Sequence, residues 1–280
     1  VTGVQTCALP ISTNYILSKM TIDGSSFNEA LKEAQDKGYA EADPTSDVDG
    51  YDAVYKLAIM SSLAFGTEVD HDCIYREGIR NISAVDIEYA KKFGYTIKLL
   101  AIAKERDNKL ELRVHPTLVP STHPMANVND AYNAIMIKGN AVGELMLYGK
   151  GAGDLPTGSA VVGDIISILR NNVKPAEIKK LGGAFEFKQV KKEQENESEF
   201  YIRLDFKDQA RVLGDAANIF GENDVSIVSI TQDVERVYHS SLAFITHKSA
   251  EKNIRNSLNK IIQLDSVNNV ESIIRIESFN

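Results

Sequence analysis

The spacing of apolar residues changes period twice along the chain, and each change marks a new kind of element. Over residues 13–20 a short helix is predicted, ended by the turn at Gly24. Phe27, Ala30, Leu31 and Ala34 then recur at helical spacing, with Ser26 and Glu29 placed as a capping box ahead of them and Gly38 closing the helix behind. After a polar loop comes Ala53, Val54, Leu57, Ala58, Ile59, Met60, Leu63, Ala64 and Phe65, a helix apolar nearly all round and therefore expected in the core. Ser83 and Asp86 cap a further helix over 84–93, stopped by Gly94. The pattern then turns to strands. Residues 95–103 and 110–114 flank Arg106-Asp107-Asn108-Lys109, and 134–138 and 144–148 flank Gly139-Asn140-Ala141-Val142-Gly143, each read as a hairpin. Runs of helices followed by hairpins predict an α+β fold, helices on a mainly antiparallel sheet, rather than a doubly wound parallel one.

A glycine-rich stretch, Gly149-Lys150-Gly151-Ala152-Gly153, and then Pro156-Thr157-Gly158-Ser159 lead into a helix predicted over 160–169. Residues 171–198 read as a linker holding one strand at 184–190. The pattern restarts after it: strand 200–206, helix 212–220, strands 225–232 and 238–246, helix 250–262, strand 267–276. That βαββαβ order is a split βαβ, ferredoxin-like unit.

Composition narrows the function classes. With 280 residues, 43% hydrophobic and 25% charged, the chain has room for two cores and the make-up of an ordinary soluble protein. A net charge of −8 without a basic cluster argues against nucleic acid. Lys188, Lys191 and Lys192 alternate with Glu193, Glu195, Glu197 and Glu199, as in a solvated linker. Cys7 and Cys73 form no disulfide framework and lack metal-ligand spacing, which points to a reducing cytoplasm. No apolar run approaches the ~18 residues that span a bilayer, so no membrane partner is expected. The five histidines have no metal-ligand spacing and read as structural, so no metal is expected. Cys73 beside Asp70 and Asp72 is a poor thiolate, and Ser159 lacks the Gly-x-Ser-x-Gly context of an esterase nucleophile.

The densest chemistry lies between Ala34 and Lys56. Glu41, Asp43, Asp47, Asp49, Asp52 and Lys56 crowd a loop broken by Gly38, Pro44 and Gly50. Asp52 and Lys56 fall one turn apart on a helix that starts near Tyr51. A lysine at the mouth of a buried helix is partly desolvated, which favours the neutral, proton-accepting amine, while the neighbouring carboxylates pull the other way. Pattern alone also admits a solvated acidic loop with one helical ion pair.

The order Ala34, Gly38, Tyr39, Ala40, Asp43-Pro44, Asp47-Val48, Gly50, Asp52, Lys56 resembles the signature of homoserine dehydrogenases at every fixed place. The resemblance extends to TNYILSKM at 13–20 and to GKGAGDLPTGSAVVGDII at 149–166. Residues 1–12 fit nothing that follows. In the family a glycine-threonine step and a nucleotide-binding domain precede the Asn-Tyr-Ile-Leu segment, and Ser12 stands where the glycine belongs. Residues 1–12 are therefore expected to be a foreign or artefactual leader that takes no part in the fold, 13–172 the catalytic and substrate-binding domain, 173–197 a linker, and 198–280 a domain that looks like an ACT amino-acid sensor.

What the resemblance implies is interconversion of L-homoserine and L-aspartate 4-semialdehyde with NAD(P)H, on the way to threonine, isoleucine and methionine. It makes Lys56 the proton donor or acceptor, with Asp52 orienting it. Glu41 and Asp47 hold the substrate ammonium and Tyr39 lines the site. Gly151, Gly153 and Thr157 meet the nicotinamide end of the cofactor, and Arg211, Val212 and Gln232 meet an amino-acid effector such as threonine. A homodimer or homotetramer is implied. One departure stands out: the family favours glycine where Arg211 stands, in the turn Asp208-Gln209-Ala210-Arg211-Val212-Leu213. No strand–Gly-x-Gly-x-x-Gly–helix unit occurs in order, so these residues alone are expected not to turn over homoserine. The rival reading is a non-enzymatic amino-acid-binding or oligomerisation subunit on the same scaffold.

Overall fold

The structure, a computed structural model, describes residues 5–151, 153–171, 187–207, 211–233 and 240–279. The chain divides into two compact units, residues 1–79, 99–115 and 127–190 in the first and 80–98, 116–126 and 191–280 in the second. No helix of the described residues is long and apolar enough to cross a membrane.

In the first unit, β1 (Gln5–Ala8) lies antiparallel to both β3 (Tyr95–Arg106) and β5 (Tyr132–Gly139), with Cys7 opposite Ile102 on one side and Met136 on the other. Of the segment 1–12, expected as a leader apart from the fold, residues 5–12 run through β1 into the start of the first helix, and residues 1–4 lie outside the described residues. Cys7, Leu9 and Ile11 are buried, and Leu9 N donates to Ala134 O at 3.0 Å. The apolar Cys-Ala-Leu-Pro-Ile run supplies side chains for burial, which no mismatch with a family pattern could reveal. β5 and β6 (Gly143–Lys150) form the outer hairpin, and β3 turns into β4 (Lys109–Pro120) through Asp107 and Asn108, both at positive φ as a two-residue hairpin turn requires. Both hairpins are where the alternation put them. Short β2 (Tyr75–Arg76) and β7 (Gln189–Val190) run parallel to β4; of the rest of the strand expected over 184–190, residues 187 and 188 are not strand and 184–186 lie outside the described residues.

Helices of this unit's N-terminal segment are α1 (Ile11–Ile22), α2 (Phe27–Asp36), α3 (Thr45–Val48) and α4 (Tyr51–Phe65). The Ser26–Glu29 capping box opens α2 with both reciprocal hydrogen bonds present. Almost every residue of α1 is buried, and Asn14 Nδ2 donates to the carbonyls of Asp130 and Tyr132 at 3.3 and 3.0 Å, which ties α1 to the start of β5.

The second unit contains β8 (Glu197–Phe206), α7 (Val212–Glu222), β9 (Ile227–Asp233), β10 (Ser240–Thr246), β11 (Ser249–Ala250), α8 (Glu251–Ile261) and β12 (Val267–Ile276), the βαββαβ order read from the sequence with one short strand added. Its sheet order is β12-β8-β10-β9, all neighbours antiparallel. Alternate residues of β8 face opposite ways. Phe200, Ile202, Leu204 and Phe206 pack in one core with Phe220, Leu242, Phe244, Ile254 and Leu258.

Tyr201 and Arg203, on the other face of β8, meet α5 (Ala84–Lys92). Asp86, wholly buried, accepts from Arg203 Nε at 2.8 Å and Tyr201 Oη at 3.1 Å while also capping α5 with Ser83. The Tyr201 hydroxyl is pushed well above its ordinary range, by burial first and by the Asp86 charge second. These bonds lie within the second unit, which takes in residues 80–98 although sequence order sets them beside the signature loop.

Candidate active site

The signature loop is assembled from short-range hydrogen bonds, most of them to backbone. Gly38 ends α2 at φ +72°, and Tyr39 N returns to Ala34 O at 2.8 Å. Gln35 Nε2 donates to Glu41 O and Ala42 O at 3.0 and 3.1 Å, while Asp43 Oδ1 accepts from Thr45 N and Oγ1 and so starts α3. Asp47 is the hub: its Oδ2 accepts from Glu41 N at 3.3 Å, and its Oδ1 lies 2.7 Å from Ser12 Oγ, which is also 2.7 Å from Tyr39 O. Tyr39, Glu41 and Asp47, expected together, are brought together. Glu41 itself is exposed, and its carboxylate has no partner among the described residues.

Behind Tyr39 lies a second polar group. The Tyr15 and Tyr39 ring centroids are 5.1 Å apart. The Tyr15 hydroxyl donates to Glu33 Oε1 at 2.7 Å, and Lys37 Nζ donates to both at 2.7 Å. The Lys37 hydrogen bond, then that of Tyr15, holds the Glu33 carboxyl down to about 2. Burial pushes the Tyr15 hydroxyl above its ordinary value.

Asp52 and Lys56 stand on the first turns of α4 with Lys56 Nζ 2.7 Å from Asp52 Oδ2, as the spacing predicts. Their setting differs from expectation. The Lys56 side chain is 53% exposed, and Tyr55, Ile59 and Leu63 on the same helix are exposed too. Only Ala53, Val54, Leu57, Ala58, Ser61 and Phe65 are buried, so α4 is a one-sided helix in these residues. An all-apolar helix states that water is unwelcome on every face; it does not state what covers each one. No hydrogen bond or ion pair joins Asp52 or Lys56 to Tyr39, Glu41 or Asp47 among the described residues; chain connectivity through α3 and Gly50 links the two groups.

Three residues sequence reasoning passed over or read only as punctuation hold that connection. Gly50, at φ +82°, is the left-handed step between α3 and α4, and a Cβ there would also lie 3.3 Å from Val114. Gly78 passes so close to the loop that its Cβ would fall 2.4 Å from Val48 O and 2.6 Å from Asp49 Cα. Arg76 lies between them, its guanidinium 3.6 Å from the Tyr51 ring centroid and its Nη1 donating to Asp49 O. Only the closeness of partners distant in sequence marks Gly78 and Arg76, and no local signal carries that.

Gly151, Gly153 and Thr157 are adjacent in the structure, at the end of β6 and the start of α6 (Asp154–Asn171). The helix begins before Pro156 rather than at residue 160, with Thr157 N already donating to Gly153 O at 3.1 Å. Proline in a helix's first turn loses nothing, since its missing N–H would be unsatisfied there anyway. A Cβ on Gly151 would meet Asn133 Nδ2 at 2.0 Å, so this glycine also leaves room for one of the chain's own side chains. Gly153, at φ +115°, has open space around its missing Cβ up to Pro156 and precedes a helix N-terminus. That pair fits one polar end of a ligand; it supplies no pyrophosphate cradle. Asp70, His71 and Asp72 bring ligand atoms within 4.8 Å of one another, but they are exposed and consecutive in a turn that Asp70 caps.

Of the effector residues, Arg211 is exposed at φ +83° as the N-cap of α7, Val212 is buried in the core beneath it, and Gln232 sits on edge strand β9 opposite Leu242. Val212 thus has only its backbone to offer a ligand. Residues 208–210 of that turn lie outside the described residues.

Comparison with known proteins bears on the same segments. The family model for homoserine dehydrogenase matches residues 7–166. A homoserine dehydrogenase of Synechocystis sp. is 42% identical over 276 residues, covering 95% of this chain and 64% of the relative. That of Bacillus subtilis is 38% identical over 273 residues, covering 95% and 62%. The crystal structure of a homoserine dehydrogenase from Thiobacillus denitrificans superposes with a TM-score of 0.91 at 37% identity, over 99% of this chain and 65% of that one. The chain thus spans a little under two thirds of the relatives it matches. The family match takes in the Asp47 hub, the Asp52–Lys56 pair and the glycine loop, over more than half of the chain: this chain belongs to the homoserine dehydrogenase family.

Proposed function

We propose that these residues form the substrate half of a homoserine dehydrogenase, interconverting L-homoserine and L-aspartate 4-semialdehyde with NAD(P)(H). The observation that carries the reading is the Lys56–Asp52 pair, 2.7 Å apart, following directly on the loop that gathers Tyr39, Glu41 and Asp47. The nicotinamide, when bound, gives or takes the hydride at the carbon bearing the oxygen, and the protein has the amino acid to hold and one proton to move. In the reducing direction Lys56 Nζ gives its proton to the carbonyl oxygen; in the oxidising direction it takes the alcohol proton back. Asp52 aims Lys56 and balances its charge. Glu41, with no partner of its own among the described residues, takes the substrate ammonium, and Asp47 holds Glu41's backbone in place. Gly151, Gly153 and Thr157 would meet the nicotinamide end of the cofactor. Choice between NAD and NADP belongs to the adenosine-binding part, for which this sequence has no fingerprint.

The second unit, with its βαββαβ order and antiparallel β12-β8-β10-β9 sheet, supports an ACT-type sensor of an amino acid, threonine by analogy. Arg211 keeps a left-handed backbone that glycine would adopt without strain, and its exposed guanidinium suits a carboxylate. Calorimetry with threonine on the 280-residue chain and on Arg211→Gly tests this. No heat with either protein refutes a threonine site.

For the enzyme reading, the experiment is to join the 280 residues behind the nucleotide-binding domain of the Synechocystis relative and assay semialdehyde reduction. Turnover by the joined enzyme, and none by the 280 residues alone, is the expected result. A soluble, folded joined chain without turnover would sink the reading.

A further inference from the structure

Gly50 is the single left-handed step between the loop that gathers Asp47 and the helix that carries Lys56, and one side chain reaches both sides of it. Arg76 Nη1 donates to the carbonyl of Asp49, just before the step, and its guanidinium carbon stands 3.6 Å from the ring centroid of Tyr51, just after it. Arg76 Cγ also lies 3.5 Å from where a Cβ on Gly50 would be. The anchor is firm. β2, which bears Arg76, registers Arg76 against Val114 of β4, and the next amide, Glu77 N, donates to Val114 O at 2.8 Å.

Two features show that this arginine is not explained by helix stability or by an ion pair. A cation beside the first turn of a helix opposes the helix dipole. Among the described residues the guanidinium also has no carboxylate partner. What it does make, a close contact with a ring face and a bond to a carbonyl at once, suits the flat guanidinium fork that lysine lacks.

We propose that Arg76 is a positioning residue for the proton transfer, fixing the direction in which α4 leaves Gly50 and through it the places of Asp52 and Lys56. The proposal rests on the dehydrogenase reading above for its kinetic consequence. Lys56 lies five residues along α4 from Tyr51, roughly 7.5 Å at the helical rise. A tilt of about 10° at Gly50 therefore moves it by about 1 Å, a displacement that can cost up to about a hundredfold in rate.

In the joined enzyme, Arg76→Lys is expected to lower kcat about ten- to a hundredfold while the homoserine KM stays within about threefold. Tyr51→Leu should do the same, and the double variant should be no slower than the worse single one, since both remove one clamp. A kcat within a factor of two of the parent, a risen KM with kcat held, or fully multiplicative losses would each overturn the proposal; the second would mean that Arg76 touches substrate. An inactive parent would sink the dehydrogenase reading and not the clamp, which is read independently in the 280-residue chain. There Arg76→Lys should speed hydrogen exchange at residues 50–54 about tenfold without changing the circular dichroism spectrum. Unchanged exchange would refute it.

Discussion

Replacing Gly78 by alanine adds one carbon where the backbone has no room for it. The new Cβ would fall 2.4 Å from Val48 O and 2.6 Å from Asp49 Cα, against a comfortable separation of about 3.5 Å. Both neighbours are backbone, so the loop must retreat by about 1 Å, and the Ile79 N→Val48 O hydrogen bond of 2.8 Å stretches with it. Overpacking of this kind costs about 1–3 kcal/mol, and weakening a hydrogen bond there adds about 1 kcal/mol. The opposing term is the smaller entropy of an unfolded alanine, which stabilises by about 0.4–1 kcal/mol. The balance is a loss of about 2–3 kcal/mol, or roughly 5–10 °C in the melting temperature of a unit of this size. Circular dichroism melts of the parent and Gly78→Ala chains measure it. An unchanged or higher Tm would mean that only the entropy term operates and that 78 does not press on the signature loop.

Asp86→Ala strands the Arg203 guanidinium in a buried site and should cost about 3–5 kcal/mol in urea unfolding; the paired change Asp86→Leu with Arg203→Met should recover most of it, and a single-variant loss under about 1 kcal/mol would contradict the geometry. Glu33, held down to about 2 by Lys37 and Tyr15, has a folded value below its unfolded value of about 4.3. Its stabilisation is therefore present above about 4.3 and lost as pH falls toward about 2. Melting temperatures of parent and Glu33→Gln should differ at neutral pH and converge near pH 2; a difference constant across that window would remove the clamp behind Tyr39.

The elements legible in the sequence are those whose cause is local. Ser26–Glu29 and Ser83–Asp86 announce helix starts because both partners of each cap lie three residues apart, and both capping boxes form. The pair Asp107-Asn108 announces a hairpin for the same reason, and Asp52 and Lys56 meet because a helix puts them there. What failed is what depends on a distant partner. Asp86 reads as a cap and is also the buried counterion of Arg203, 117 residues on. Gly151 reads as a glycine in a ligand loop, and its closeness to Asn133 has no signal in the sequence. Ile59 and Leu63 read as core and face outward. Arg76 and Gly78, which hold the signature loop, sit in a stretch with no periodicity to flag them. The candidate site is thus named from the resemblance and its local spacing, while the contacts that hold its loop appear only with the fold.

If Lys56 moves the proton, the steady-state kinetics of Lys56→Ala in the joined enzyme, beside its active parent, will show it. Loss of a general acid–base group lowers kcat by about two to four orders of magnitude. A fall in that range is expected, with the homoserine KM changing far less because Glu41, held in place by Asp47, still binds the amino acid. A variant that turns over homoserine within a factor of a few of the parent would contradict the account.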